Sequence, residues 1–211
     1  MDLNKIKTEN EKIILSLNGE VCDWLPSCEL TTMRSPQEII DRALIMNAMI
    51  NIAFNAPIED IKKYINNNNL TSSLSDAEIA ILVLSQDTIE EQDKVNLHWY
   101  LESLWSLIWV MSKFDELSIN KPIPDDMIDY CPNLQNEEGP EKFNQNIQLR
   151  PFEEVYSMRD LYYRAMWCAR HFNLNAKSND NFNMSLIMER RRGLTWCLDN
   201  DSDWDNIAQN T

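Results

Sequence analysis

Three stretches of the chain carry carboxylates, arginines and tryptophans at helical spacing. His98, Glu102, Trp105 and Trp109 follow one another at steps of four, three and four, and Asp160, Arg164, Trp167 and His171 repeat those steps. Near the C-terminal end, Glu189-Arg190-Arg191-Arg192 runs into Leu194, Trp196 and Trp204-Asp205. Steps of three and four return a side chain to the same side of a helix. If the three helices pack together, Glu102, Asp160, Arg164, Glu189 and Arg190 converge, and Trp167, Trp196 and Asp205 complete the candidate cluster. Such a group supports three kinds of chemistry. It can lock helix register through interior ion pairs. It can bind an anion through Arg164 and Arg190. It can place Glu102 or Asp160 as a general acid or base.

The arginine run favours the first. At 100° per residue, Ile187, Arg190, Leu194, Cys197 and Leu198 share one helix face. Arg190 is therefore expected to point inward, Arg191 to lie at the rim and Arg192 to face away. An inward arginine needs a carboxylate, because an unpaired buried charge costs several kcal/mol.

Other chemistries have less support. His98 and Glu102 stand four apart, as two ligands on one helix would, but the chain has only 2 histidines, so no metal site is expected. No GxSxG elbow is present, and Cys168, one turn before His171, falls on a core stripe that opposes thiolate formation. No glycine-rich phosphate loop exists in a chain with 3 glycines, and no cofactor is implied. Asn47 and Asn51 fall on the inner side of their helix, where they bond across helices or mark a polar cavity.

The elements that must position these residues read as nearly all helix. Ser35-Pro36-Gln37-Glu38, Ser75-Asp76-Ala77-Glu78 and Thr88-Ile89-Glu90-Glu91 have the form of capping boxes, and Ser157 with Asp160 is a weaker one. Helices are expected over 3–18, 36–54, 57–66, 76–85, 89–114, 158–172 and 184–199, with 89–114 central because it turns apolar all round after Leu104. Asn66–Asn69 reads as a helix end and turn. The stretch 118–150, with Pro122, Pro124, Pro132 and Pro140, reads as a long loop wrapping one core, with a short helix at Asp125–Tyr130. A strand near 146–152 is the one β element the pattern allows. The expectation is a single all-α domain over 1–211, with about seven helices, an N-terminal helix within 1–20 and an irregular loop at 118–150.

Composition bounds the partners. The formal net charge is -15 and the pI about 4.5, which disfavours nucleic acid and anionic membranes and favours a basic protein partner. The longest apolar stretch, Leu104–Met111, is far shorter than the ~20 residues a bilayer needs. The five cysteines form no CxxC and no leader peptide is evident, so a reducing cytoplasm is the expected compartment. Nothing in the pattern sets an oligomeric state.

The order of certain residues resembles a known family. Trp24-Leu25-Pro26, Arg34 with Glu38, Trp99 with Glu102 and Trp109, and Arg150 form the first part. Leu161-Tyr162-Tyr163-Arg164, Trp167, Arg170, Glu189-Arg190-Arg191, Leu194, Trp196 and Trp204-Asp205 complete it. Over about residues 20–211 the chain resembles the bacterial domain-of-unknown-function family 4272, departing at Asn210-Thr211, where the family pattern tends to end in Asp-Thr. The resemblance implies one compact domain that includes the 118–150 loop, and no activity, substrate or cofactor. With no catalytic motif, the functional expectation is a non-enzymatic binding or interaction protein. Its specific form is an acidic, antitoxin-like immunity protein that neutralises a basic toxin. The rival is an enzyme or small-ligand sensor with an Arg/Glu/Trp-lined anion pocket.

Overall fold

Local side-chain caps set most of the helix starts. The computed structural model describes residues 1–208, and among them eight α-helices and no strand. Asn210-Thr211 lie outside the described residues. Helix α1 (Leu3–Ser16) begins where the Asp2 carboxylate accepts the Asn4 and Lys5 N–H groups. Helix α2 (Pro36–Ala53) has the expected Ser35/Glu38 capping box with proline at its first position, and α4 (Asp76–Leu82) has the Ser75/Glu78 box. Helix α3 spans Ile58–Asn67, and α8 (Met184–Cys197) is capped by the Asn183 side chain. Chain reversals at helix ends use left-handed non-glycine residues, among them Asn18, Asn55 and Asn69, which is how so glycine-poor a chain stops its helices.

Three expectations are corrected. The helix expected over 89–114 is two: α5 (Glu91–His98) and α6 (Tyr100–Val110), joined through Trp99. The Glu102 N–H bonds the Trp99 carbonyl three residues back (3.1 Å) instead of four, so the turn tightens there. This separates the polar α5, lying over α2, from α6, which is buried from Glu102 to Val110. Second, α5 is capped by Glu90 with Asp93, and Thr88 sits in a 3₁₀ turn instead. Third, α7 runs Phe152–Leu174, starting six residues before the expected 158, and the 146–151 stretch considered for a strand leads into it without forming one. Pro151 presets the entry, Glu153 and Glu154 favour the positive end of the helix dipole, and Glu154 accepts from Arg150 at 2.6 Å. The Ser157 cap is therefore not used.

The helices pack as a series of neighbours: α3 on α2, α2 on α6, α6 on α8, α8 on α7 and α7 on α1, with α5 also against α2. One continuous apolar core runs through them, centred on α2 and α6. The 118–150 loop belongs to that core. It forms 3₁₀ turns at Asp125–Tyr130 and Leu134–Asn136 and buries Met127, Cys131 and Phe143. No helix of the described residues is long and apolar enough to cross a membrane.

Candidate functional site

Helix α8 brings its arginines against α6 at close range. Gly193 permits this: a Cβ there would lie 2.8 Å from the Ser103 carbonyl oxygen. The Ser103 and Ser106 hydroxyls donate to the Glu189 and Arg190 carbonyls, each at 2.8 Å. Arg190 is fully buried, as its helix position predicts. Its Nε donates to Glu102 Oε2 at 2.6 Å, its Nη1 donates to the Ser118 carbonyl at 2.5 Å, and its guanidinium lies 4.5 Å from the centre of the Trp105 ring. The Tyr162 hydroxyl donates to the same Ser118 carbonyl at 2.6 Å, so the loop is tied to α7 and α8 at one oxygen. Glu189, half-buried, faces Ser103 and Arg192, and burial raises its carboxyl above the usual range.

Asp160 and Arg164 form a second and separate network. Arg164 is bidentate on Asp160, at 2.8 and 2.9 Å. Helix α1 completes it: Asn10 donates to Asp160 at 2.9 Å and Glu11 accepts from Arg164 at 3.3 Å. Asp160 and Arg164 are both buried, and the crevice beside Arg164 and Trp167 has no room for a water molecule. Trp167 stacks on His171 at 4.9 Å, and His171 meets Glu20. The five charged residues expected to converge are thus divided: Glu102–Arg190 and Asp160–Arg164 are ion pairs on different helix interfaces, and Glu189 lies with Arg192. His98 and Glu102 are not partners either; His98 packs on Phe54.

Trp196 and Asp205 belong to a third group, built around Trp204. The Trp204 ring is buried with the Arg192 guanidinium 4.4 Å and the Arg42 guanidinium 5.3 Å from its centre, and its Nε1 donates to the Tyr100 hydroxyl at 3.2 Å. Arg42 is ion-paired with Glu78, the residue that closes the α4 capping box. Arg34 lies 4.3 Å from the centre of the Trp196 ring and donates to the Trp196 and Ser202 carbonyls. Asp205 accepts the Ala77 N–H at 2.9 Å, in the first turn of α4. Two expectations change here. Arg191 is buried near Tyr163 rather than at the rim, because α7 covers that side of α8. Arg192 does not face away; the 199–208 segment folds back over it, and its Nη2 donates to the Trp204 carbonyl at 3.0 Å.

Glu78 reads from the sequence only as a helix cap, and Arg42 and Tyr100 not at all. Arg42 had the signal Arg190 had: it sits between Ile39 and Met46 on an apolar helix. The alternating acids Asp199, Asp201, Asp203 and Asp205 hold no cation site; Asp199 and Asp203 cap their own turns. All five cysteines are free, and burial pushes the Cys168 thiol up to about 11 and Cys131 up to about 12.

A separate opening lies elsewhere. A cavity of about 780 Å³ sits between the end of α2, helix α3 and the 134–139 turn. Asn51 lines it, while Asn47, one turn earlier, donates to the Pro132 carbonyl at 2.9 Å, so the two asparagines divide the roles of cavity wall and cross-link.

The fold and the site define an all-helical domain whose arginines are turned inward onto carboxylates, carbonyls and aromatic rings. The chain belongs to a family known as a domain of unknown function, DUF4272, whose model matches residues 18–207. No curated protein and no solved structure matches it.

Proposed function

We propose that this is a non-enzymatic binding protein of a reducing cytoplasm whose acidic surface receives a basic protein partner. In its most specific form it is an antitoxin-like immunity protein that covers the basic site of a toxin. One observation carries the reading: none of the nine arginines is exposed, while most of the carboxylates are. Asp125, Asp126 and Asp129, Glu90 and Glu91, and Asp201, Asp203 and Asp205 all reach solvent. Ten lysines remain to balance them, and several of those are held by neighbouring acids, as Lys62 is by Glu59 and Lys177 by Glu20. The field presented to a partner is therefore more negative than the arginine content suggests, which steers basic molecules and repels acidic ones. Five free cysteines support a reducing compartment. The anion-pocket alternative loses its motive, since Arg190 and Arg164 are each occupied by a carboxylate.

The test is affinity capture from the native host at low salt, followed by association kinetics with the recovered partner. The expected result is a basic partner whose on-rate falls steeply with added salt. Recovery of no basic partner, or an on-rate indifferent to salt, would overturn the proposal.

A further inference from the structure

The segment between α1 and α2 holds a tryptophan in the open. Trp24 is 77% exposed, whereas Trp105, Trp109, Trp196 and Trp204 are buried. Its exposure is built in. The Leu25 N–H donates to the Cys22 carbonyl at 3.1 Å, and both of those side chains are buried, so Asp23 and Trp24 between them point outward. The backbone beneath is pinned to α1 and α7. Lys7 Nζ donates to the Asp23 and Leu25 carbonyls at 2.8 and 3.0 Å. Arg164, Tyr156 and Arg159 donate to the carbonyls of Pro26, Cys28 and Glu29. With its carbonyls turned inward, the segment presents side chains to solvent: Leu30 is 58% exposed, and Asp23 and Glu29 are exposed as well. A rigidly held, exposed tryptophan followed by a second apolar side chain is suited to be a binding hot spot, because the fold has already met the ordering cost.

The other indoles of the molecule indicate what would cover this one. Arg34 lies 4.3 Å from the centre of the Trp196 ring, Arg150 4.4 Å from Trp109, Arg192 4.4 Å from Trp204 and Arg190 4.5 Å from Trp105. Among the described residues no cation and no ring lies against Trp24. Lys7, Arg159 and Arg164 are engaged with the backbone from inside, and the exposed charges on the segment are the carboxylates of Asp23 and Glu29. We infer, resting on the basic-partner reading above, that the basic protein docks on the segment from Asp23 to Leu30. An arginine of that partner stacks on the Trp24 indole, Asp23 and Glu29 supply the opposing charge, and an apolar neighbour of the arginine packs on Leu30.

The recognition chemistry is tested first without the partner. The full chain at low salt is titrated with a short peptide of alternating arginine and leucine, and with its counterpart carrying glutamate in place of arginine, while NMR follows the indole N–H signals. The Trp24 signal is the one missing from Trp24→Ser, a variant whose melting temperature is expected to match the parent because the side chain is exposed. The arginine peptide is expected to move the Trp24 signal saturably, to bind at least about tenfold more tightly than the glutamate peptide, and to bind several-fold more weakly to Trp24→Ser. With a basic partner recovered by low-salt capture, Trp24→Ser is expected to weaken binding about thirtyfold, mainly through faster dissociation. Asp23→Asn with Glu29→Gln is expected to slow association instead. A basic partner bound equally well by Trp24→Ser would overturn this surface and leave the basic-partner reading standing; recovery of no basic partner would overturn both. Equal binding of the two peptides, a Trp24 signal unmoved up to about 10 mM, shifts centred elsewhere, Trp24-dependent pelleting with phosphatidylcholine vesicles, or a Trp24-dependent dimer would each overturn the assignment.

Discussion

Gly193 of α8 and Ser103 of α6 are in contact at a distance no other residue type allows: a Cβ on Gly193 would sit 2.8 Å from the Ser103 carbonyl oxygen and 3.0 Å from the Ser106 Cβ. The approach lets two serine hydroxyls of α6 reach α8 carbonyls that already serve the helix. Gly193→Ala gains about 1 kcal/mol of helix propensity but forces the two helices apart. Overpacking of this kind costs about 1–3 kcal/mol, so a net loss of stability is expected in urea unfolding. A stabilised variant would show that the interface yields.

Arg190→Ala tests the ion pair that this contact protects. Removing the guanidinium leaves Glu102 and the Ser118 carbonyl facing a void, and an expected loss of about 3–5 kcal/mol follows. Replacing both partners, Arg190→Met with Glu102→Leu, removes the orphaned charge. It also removes the Arg190 Nη2 group, which has no hydrogen-bond partner. The double variant is expected to recover most of the loss. A thermal melt of each decides; an Arg190→Ala midpoint near that of the parent would end the structural assignment.

Two glutamates make opposite demands on pH. Hydrogen bonds from the Ser35 side chain and backbone hold the Glu38 carboxyl below its ordinary value of 4.5. Its contribution is present above that value and is lost as pH falls through the lower folded one. Burial raises Glu189 above 4.5, so its contribution is present below 4.5 and is lost as pH rises through the higher folded value. Glutamine completes a capping box without titrating. Relative to the parent, Glu38→Gln is therefore expected to lose less stability between about pH 6 and pH 3. Glu189→Gln is expected to stabilise more at about pH 7 than at pH 4. Melting temperatures across that range check both signs.

How much of this was legible in the sequence depended on how far each signal travelled along the chain. The Ser35 and Ser75 boxes were readable because cap and partner lie three residues apart. Thr88 misled because Glu90 with Asp93 offers the same local geometry two residues on. The inward turn of Arg190 followed from helix rotation alone. Arg192 did not, because its cover is Trp204, brought back from beyond the helix end. The division of Glu102–Arg190 from Asp160–Arg164 was likewise hidden, since Asn10 and Glu11 of α1 decide where Asp160 and Arg164 find partners. The cavity beside α3 joins segments far apart in sequence, and of its lining only Asn51 carried a signal, as a polar residue on an inner helix face.

Trp204 closes the molecule, and its loss should be felt in two places. Its ring lies against Arg192 and Arg42 and edge-on to Tyr100 and Trp196, with centroids 5.9 and 6.2 Å away. Trp204→Ala empties that space and exposes the Arg42–Glu78 pair to water, so a cost of about 3–5 kcal/mol is expected. Trp204→Phe keeps a ring between the two guanidiniums and is expected to retain most of the stability, losing the bond from Nε1 to the Tyr100 hydroxyl. The same segment delivers Asp205 to the Ala77 N–H, so hydrogen exchange at Ala77 should accelerate in Trp204→Ala beyond what the global loss explains. Asp205→Asn, at an exposed position, should cost no more than about 1 kcal/mol. A Trp204→Ala protein within about 1 kcal/mol of the parent and with unchanged Ala77 exchange would mean that the arginines, not the ring between them, hold the C-terminal segment in place.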